Sequence, residues 1–399
     1  MTIKGRLAQT LADAITKTYN LDISCDLTRA TRPEFGDYQA NFAMKAAKIL
    51  QQPPREIAEN IIKAISQNEW FEASVAGPGF INIRLNQRDI IKTLRLSDQD
   101  PRLGIDQTTH KRRIVVDYSN PNIAKEMHIG HLRSAIIGDS ICRLLSFKGH
   151  EVIRQNHVGD WGTQFGKLLE YLIELNATDV SDHIDNFNAF YQRAQKRFET
   201  DDDFAQRSRK RVVLLQQHEP QTYQLWQQLV DLSHQHFEQI YPRLGVLLQP
   251  EDIRPESFYN PQLAKTVQAL LQSGIAEEDQ GAIVVKHDQF KTKDQQPMGM
   301  IIQKSDGGYL YATTDLAALK YRLDTLQANE VIYVTDHRQK LHFDMLFATA
   351  KKAHWLDKDH HVSHISFGSV LGADKKPLKT RSGDLITLKE VLDEAEKRS

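Results

Sequence analysis

Residues 113–131 read Arg-Ile-Val-Val-Asp-Tyr-Ser-Asn-Pro-Asn-Ile-Ala-Lys-Glu-Met-His-Ile-Gly-His, and their order decides the fold. Arg113 to Ser119 is a short apolar run that ends in polar residues, the pattern of a buried strand. Beyond His131, the residues Leu132, Ile136, Leu144 and Leu145 recur at helical spacing, with Gly149 as the stop. A strand, a polar turn and a helix N-terminus make a phosphate site, because the first free N–H groups of the helix and its dipole point at an anion. His128 and His131 are three apart and share a helix face. Both are of the type that donates hydrogen bonds to a triphosphate whose charge shifts in the transition state. Gly130 leaves room for a flat ring to lie against the backbone.

Outward from this stretch, a chain of 399 residues has room for two or three domains with sizeable cores. Its 40% hydrophobic and 26% charged residues describe an ordinary globular protein. There is no long apolar run to span a membrane, and Met1 to Arg6 lacks the apolar segment of a signal peptide. Cys25 and Cys142 make neither a disulfide framework nor a zinc cluster, so no zinc is expected, Cys142 reads as helix core, and the cytoplasm is the expected compartment. The net charge of −1 does not announce a nucleic-acid binder, but binding needs only a local basic face. Lys111 to Arg113 and the group Lys375, Lys376, Lys379 and Arg381 are candidates for such a face, against the alternative of a solvated helix or loop face. The run from Arg193 to Arg211 is interleaved with Asp201, Asp202 and Asp203 and reads as a solvated helix face.

Residues 1 to about 100 form a separate small α+β unit by pattern. Helical periodicity covers Ile3 to Tyr19, Asn41 to Leu50 and Arg55 to Ile65, with Pro53 and Pro54 at the start of the third helix. Gly77-Pro78-Gly79 turns into the alternating strand Phe80 to Leu85, and Ser97 to Thr109 reads as a linker. From residue 110 to about 175 the chain alternates strand and helix, which implies a Rossmann-type parallel sheet. Residues 176 to about 295 are long, charged and helical, as in an insertion. Val284-Val285 and Ile301-Ile302 restore strands, Glu330 to Thr335 is another, Phe367 to Leu371 is the last, and the chain stops inside a helix from Leu388 to Lys397.

Residues 116–166, VDYSNPNIAKEMHIGHLRSAIIGDSICRLLSFKGHEVIRQNHVGDWGTQFG, closely resemble the signature block of the arginyl-tRNA synthetases, which are class I aminoacyl-tRNA synthetases. The likeness is most specific at Asn122 to Lys125, at His131 to Ser134 and at His157 to Gly166, and it continues more patchily over almost the whole chain. It implies an α/β fold: a Rossmann-type catalytic domain over 110–399 with a connective insertion at about 176–295, preceded by a small α+β N-terminal domain over 1–100 that binds the tRNA elbow. The family's helical anticodon-binding domain is expected to be absent, so that the chain reads as a fragment or a truncated form. The activity implied is ligation of arginine to tRNA(Arg), with ATP and Mg2+ as co-substrate, by a monomer.

The resemblance also assigns residues. His128, Gly130 and His131 would cradle ATP. The family's lysine-rich second signature is degenerate here, and Lys376 and Lys379 in the segment Asp374 to Asp384 stand in its frame. Lys125, just before the first histidine, would stand in for a missing loop lysine. Arginine is a cation with a planar fork, so its pocket should offer carboxylates. Asp117, Tyr311 and Asp315 are carried over as guanidinium contacts, the last two lying four apart on one helix face, and Asn122 and Gln339 as the α-amino end. Phe80 and Asn82 project to the same strand face, and the family's matching pair receives an unpaired tRNA base by stacking and hydrogen bonding. The segment Phe35 to Gln39 also matches, in a structural role.

Two other readings compete: a different class I synthetase or nucleotidylyltransferase, and a catalytically silent RNA-binding relative. Two carboxylates, Asp117 and Asp315, argue against a neutral substrate. An exposed base-reading pair argues against a purely small-molecule enzyme, and intact His128, Gly130 and His131 argue against a silent one.

Overall fold

Met1–Thr108 and Thr109–Ser399 pack as two separate units. A computed structural model describes residues 2–184, 186–292, 294–370 and 387–399. In the first unit, α1 (Ile3–Tyr19) is followed by β1 (Leu27–Arg29), β2 (Tyr38–Ala40), α2 (Phe42–Leu50), α3 (Pro54–Ala64), β3 (Phe71–Ala76), β4 (Phe80–Leu85) and α4 (Gln87–Gln99). The strands form an antiparallel sheet in the order β1-β2-β4-β3. Leu7, Leu11 and Ile15, one stripe of α1, are buried in one core with Ile57 and Ile61 of α3 and Ile81 and Ile83 of β4.

The second unit opens with β5 (Arg113–Asp117), α5 (Ile129–Phe147), β6 (Glu151–Gln155) and α6 (Thr163–Glu174). Three long helices follow, α7 (Phe187–Thr200), α8 (Asp202–Gln216) and α9 (Pro220–Arg243), then α10 (Asn260–Gln272), β7 (Glu277–Asp279), β8 (Ala282–Lys291) and β9 (Pro297–Gln303). The chain then makes α11 (Tyr311–Asp324), β10 (Glu330–Asp336), α12 (Lys340–Lys352), β11 (His361–Phe367) and α13 (Leu388–Arg398). Four strands form a parallel sheet in the order β11-β10-β5-β6. The strand order reverses between β5 and β10, and the crevice beyond the carboxyl ends of those strands is where such sheets bind ligands.

Three expectations change. Val284-Val285 and Ile301-Ile302 do lie in strands, but β7, β8 and β9 form their own antiparallel sheet, because short apolar runs do not reveal which sheet they join. The last parallel strand is β11, ending at Phe367 where the sequence had it begin. The third concerns how α5 docks. Ile136 is 43% and Leu144 66% exposed, and the buried face is Ser134, Ala135, Gly138, Asp139 and Cys142. A helix lying close on a sheet needs small side chains there, and polar ones serve if they are paired. The Ser134 hydroxyl donates to the Val334 carbonyl at 2.6 Å and accepts from the Ser119 N–H at 2.9 Å. The Tyr118 hydroxyl bonds Asp139 at 3.1 Å.

Gly138 meets Tyr118 so closely that an added Cβ would lie 2.3 Å from the ring. Alanine in a helix interior normally gains about 1 kcal/mol over glycine, whereas overpacking costs about 1–3 kcal/mol. Gly138→Ala is therefore expected to be net destabilising in urea unfolding; a stabilised variant would mean that α5 is free to shift.

Candidate active site

The loop leaving β5 turns on two consecutive left-handed residues, Ser119 (φ 75°) and Asn120 (φ 50°). Asn120 is held on every side: its N–H donates to Asn156 Oδ1 at 3.0 Å, its Oδ1 accepts from the His157 N–H at 2.7 Å, and its Nδ2 donates to Asp117 Oδ1. The Tyr241 hydroxyl joins the Ser119 hydroxyl and Asn156 Nδ2, each at 2.9 Å. Asn122 follows, its amide against Gly159, where any Cβ would collide with it.

His128 is the N-cap of α5. Its Nδ1 accepts from the Gly130 N–H at 3.0 Å, and His131 Nδ1 accepts from the His128 N–H at 3.1 Å. A backbone N–H can only donate, so both Nδ1 atoms are unprotonated and each neutral ring carries its proton on Nε2. Free helix N–H groups facing an anion are the expectation from sequence; two of these amides instead bond imidazoles, whose remaining N–H donor is on Nε2. Gly130 does make room for a flat ring, and that ring is His128 itself, 2.7 Å from where a Cβ would stand. The two rings stack at 4.0 Å between centroids. Burial, then the Arg338 and Lys125 charges, lowers the His128 pKa, and burial with His128 alongside pushes His131 down to about 3.

Asp117, Asn122, His128, Gly130, His131, Tyr311, Asp315 and Gln339 all line one pocket of about 540 Å³ at the switch point. Glu256, His157, His342 and Arg338 line it too. Asp315 Oδ2 bonds His342 Nε2 at 2.6 Å, and its Oδ1 lies 3.7 Å from His157 Nε2. Burial raises the Asp315 carboxyl, but the His342 bond and the neighbouring His342, His157 and Arg322 outweigh it and leave it below the usual value. The Tyr311 ring packs on His342 at 4.9 Å. Glu256 is pushed up to about 8, first by burial and then by Asp315 and Asp160. The arrangement suits a flat cation at the acidic side chains and an anion at the imidazoles.

Several expected residues stand elsewhere or are occupied. Asp117 is 2% exposed and both its oxygens are engaged, Oδ2 by Arg322 at 2.5 Å and Oδ1 by Asn120, so the guanidinium on it is the chain's own. Lys125 is not among the lining residues; its ammonium rests 4.6 Å over the Tyr191 ring, a cation–π contact. Lys376 and Lys379 lie outside the described residues. In the first unit, Asn82 is not exposed as the sequence predicts. It is 9% exposed and its Oδ1 accepts from Gln39 Nε2 at 2.7 Å, its cross-strand partner, while Phe80 is half-buried. Glu256 and His342 were not singled out in the sequence; neither sits in a periodic pattern, and only the fold brings them to the pocket.

Residues 94–399 match the family model for "tRNA synthetases class I (R), catalytic domain", and residues 2–85 that for "Arginyl tRNA synthetase N terminal domain". The arginine--tRNA ligase of a Synechococcus species is 49% identical over 94% of this chain and 64% of its own length. The chain belongs to the class I arginyl-tRNA synthetase family. The ligase of Idiomarina loihiensis is 42% identical over 100% of this chain and 70% of its own. The arginyl-tRNA synthetase of Plasmodium falciparum superimposes with a TM-score of 0.79 at 31% identity, covering 99% of this chain and 68% of that one. The Thermus thermophilus enzyme, at 22% identity and a TM-score of 0.71, shares the fold. The chain thus spans about 64% of the first of these arginyl-tRNA synthetase relatives.

Ring ¹⁵N spectra should find His131 neutral, protonated on Nε2 alone, from pH 5 to 8. With a folded pKa near 3 against about 6.5 unfolded, the stabilisation from this neutral ring is complete above the unfolded value and is lost as pH falls through the interval below it. A doubly protonated His131 at pH 6 would remove the cap.

Proposed function

We propose that the chain activates arginine with ATP and transfers the arginyl group to tRNA(Arg). The observation that carries this reading is the meeting, in one pocket, of acidic side chains with uncharged imidazole donors at a helix N-terminus. An oxygen of the arginine carboxylate attacks the α-phosphorus, the bond to the bridging oxygen breaks and pyrophosphate leaves. A terminal ribose hydroxyl of the tRNA then attacks the arginyl carbonyl carbon, AMP leaves, and the hydroxyl proton goes to solvent. Both steps need positioning and charge stabilisation.

Asp315 and Glu256 are assigned to the guanidinium, with Tyr311 beside them, and Asn122 and Gln339 to the α-amino end. His128 and His131 direct their Nε2–H groups at the phosphates, where charge moves in the transition state. Lys376 and Lys379 are proposed to approach the leaving pyrophosphate, as is Lys125 on leaving the Tyr191 face. Mg2+ is proposed to arrive with ATP as co-substrate; among the described residues no three His, Cys, Asp or Glu side chains gather as a metal site. The first unit is proposed to meet the tRNA elbow, Phe80 by stacking on a base and Asn82 on exchanging Gln39 for that base. The proposed location is the cytoplasm; no helix among the described residues is long and apolar enough to cross a membrane.

Glu256, at about 8 in the empty pocket, is mostly protonated at neutral pH, and a guanidinium favours its carboxylate. Arginine binding should release a proton near pH 7, seen as a buffer-dependent calorimetric enthalpy, and its affinity should rise as pH climbs through 8. Glu256→Gln should abolish that dependence. Both Glu256→Gln and Asp315→Asn should weaken arginine binding by about tenfold or more, the worth of a charged hydrogen bond, and ATP binding far less. Equal losses for the two ligands would contradict the assignment. His128→Ala or His131→Ala should lower tRNA-supported ATP–pyrophosphate exchange more than ATP affinity; unchanged turnover with only a raised ATP KM would count against a transition-state role.

A further inference from the structure

Asp117 ends β5 where the sequence alone offers it to a substrate guanidinium, yet a guanidinium from α11 is already there. Arg322 is fully buried. Its Nη2 lies 2.5 Å from Asp117 Oδ2, its Nε donates to Gln155 Oε1 at 2.6 Å, and its guanidinium sits 5.0 Å from the centre of the Tyr333 ring. Gln155 ends β6, and Tyr333 of β10 pairs with Asp117 in the sheet. One side chain therefore fastens α11 to three adjacent strands at the edge that carries the pocket.

The contacts also close a circuit. Asp117 uses its other oxygen on Asn120, Asn120 accepts the His157 N–H, and His157 Nε2 reaches Asp315 Oδ1 at 3.7 Å. Asp315 is two turns before Arg322 on the same helix. A buried ion pair is weak evidence for stability, since desolvation consumes much of the attraction. Its geometric effect is firmer: it fixes where α11 sits and takes one carboxylate out of play.

We propose that Arg322 is a positioning residue for arginine recognition. It neutralises Asp117, leaving Asp315 and Glu256 to meet the incoming guanidinium, and through Asn120 and His157 it sets the place of Asp315. This rests on the arginine-activating reading, and the two fail differently. A wild-type chain that binds no arginine overturns that reading, whereas normal binding in the variants overturns only the role of Arg322.

The test is calorimetry of arginine and of ATP, each alone, on the full chain. Arg322→Ala should raise the arginine Kd by about tenfold or more and leave the ATP Kd within about threefold. Millimolar guanidinium should restore much of the arginine affinity, judged against wild type at the same guanidinium concentration, because Asp117 can hold the free ion. Asp117→Asn/Arg322→Ala should show no rescue, a difference that a purely structural role would not produce. Since Arg322→Ala leaves a carboxylate buried alone and can fail to fold, the neutral pair Asp117→Asn/Arg322→Met provides the second arm. Folded by thermal melting, it should still bind arginine about tenfold more weakly. Wild-type arginine affinity in that pair, equal losses for arginine and ATP, or a rescue that does not need Asp117 would each overturn the proposal.

Discussion

Two left-handed residues in succession, neither of them glycine, turn the chain out of β5, and the pocket depends on that turn. Such residues cost on the order of 1–3 kcal/mol each and persist only where the surroundings over-determine them. Here Asn120 donates through its backbone and its side chain and accepts through its amide oxygen, while Tyr241 braces Ser119 and Asn156 from α9. Beyond the turn, Asn122 is bridged to Gly159 in the loop after β6, and the chain then enters α5. A relaxed turn would move Asn122, His157 and the first histidine together.

The pocket treats its two kinds of charge differently. Toward a cation it presents carboxylates, one of them kept ionised by His342 and another poised near neutrality by burial. Toward an anion it presents uncharged rings whose donors are fixed by backbone amides behind them. Full ions placed close to one another in a desolvated pocket would shift or neutralise each other; neutral dipoles avoid that conflict.

Much of this architecture can be read from the residues, and the limits have physical reasons. The spans Ile3–Tyr19 and Phe80–Leu85 follow from local pattern, and the parallel sheet from the alternation of strand and helix, because both are set by residues close in sequence. Periodicity misleads at α5, where close approach selects Ser134, Ala135 and Gly138 over leucines. Motif spacing pairs His128 with His131 and Tyr311 with Asp315, since neighbours on a helix stay neighbours in space, and the fold brings the two pairs to one pocket. It misses Glu256 and His342, which arrive from distant segments, and it cannot tell that Asp117 and Asn82 already have partners. Those partners, Arg322 and Gln39, are 205 and 43 residues away in sequence.

The histidine caps have a bearing on release. A site that grips a polyanion with lysines or arginines holds the product as firmly as the reactant, and dissociation then becomes the slow event. At the mouth of α5 the contacts proposed for the reacting phosphate, apart from the lysines proposed for the pyrophosphate, are N–H bonds on rings with no formal charge, whose strength would follow where negative charge is concentrated at each moment. As charge drained from that phosphate to a departing group, these contacts would slacken at one oxygen and tighten at another. A helix end capped in this way would hold an anion through dipoles, with no full ion pair to separate at that end when the product leaves.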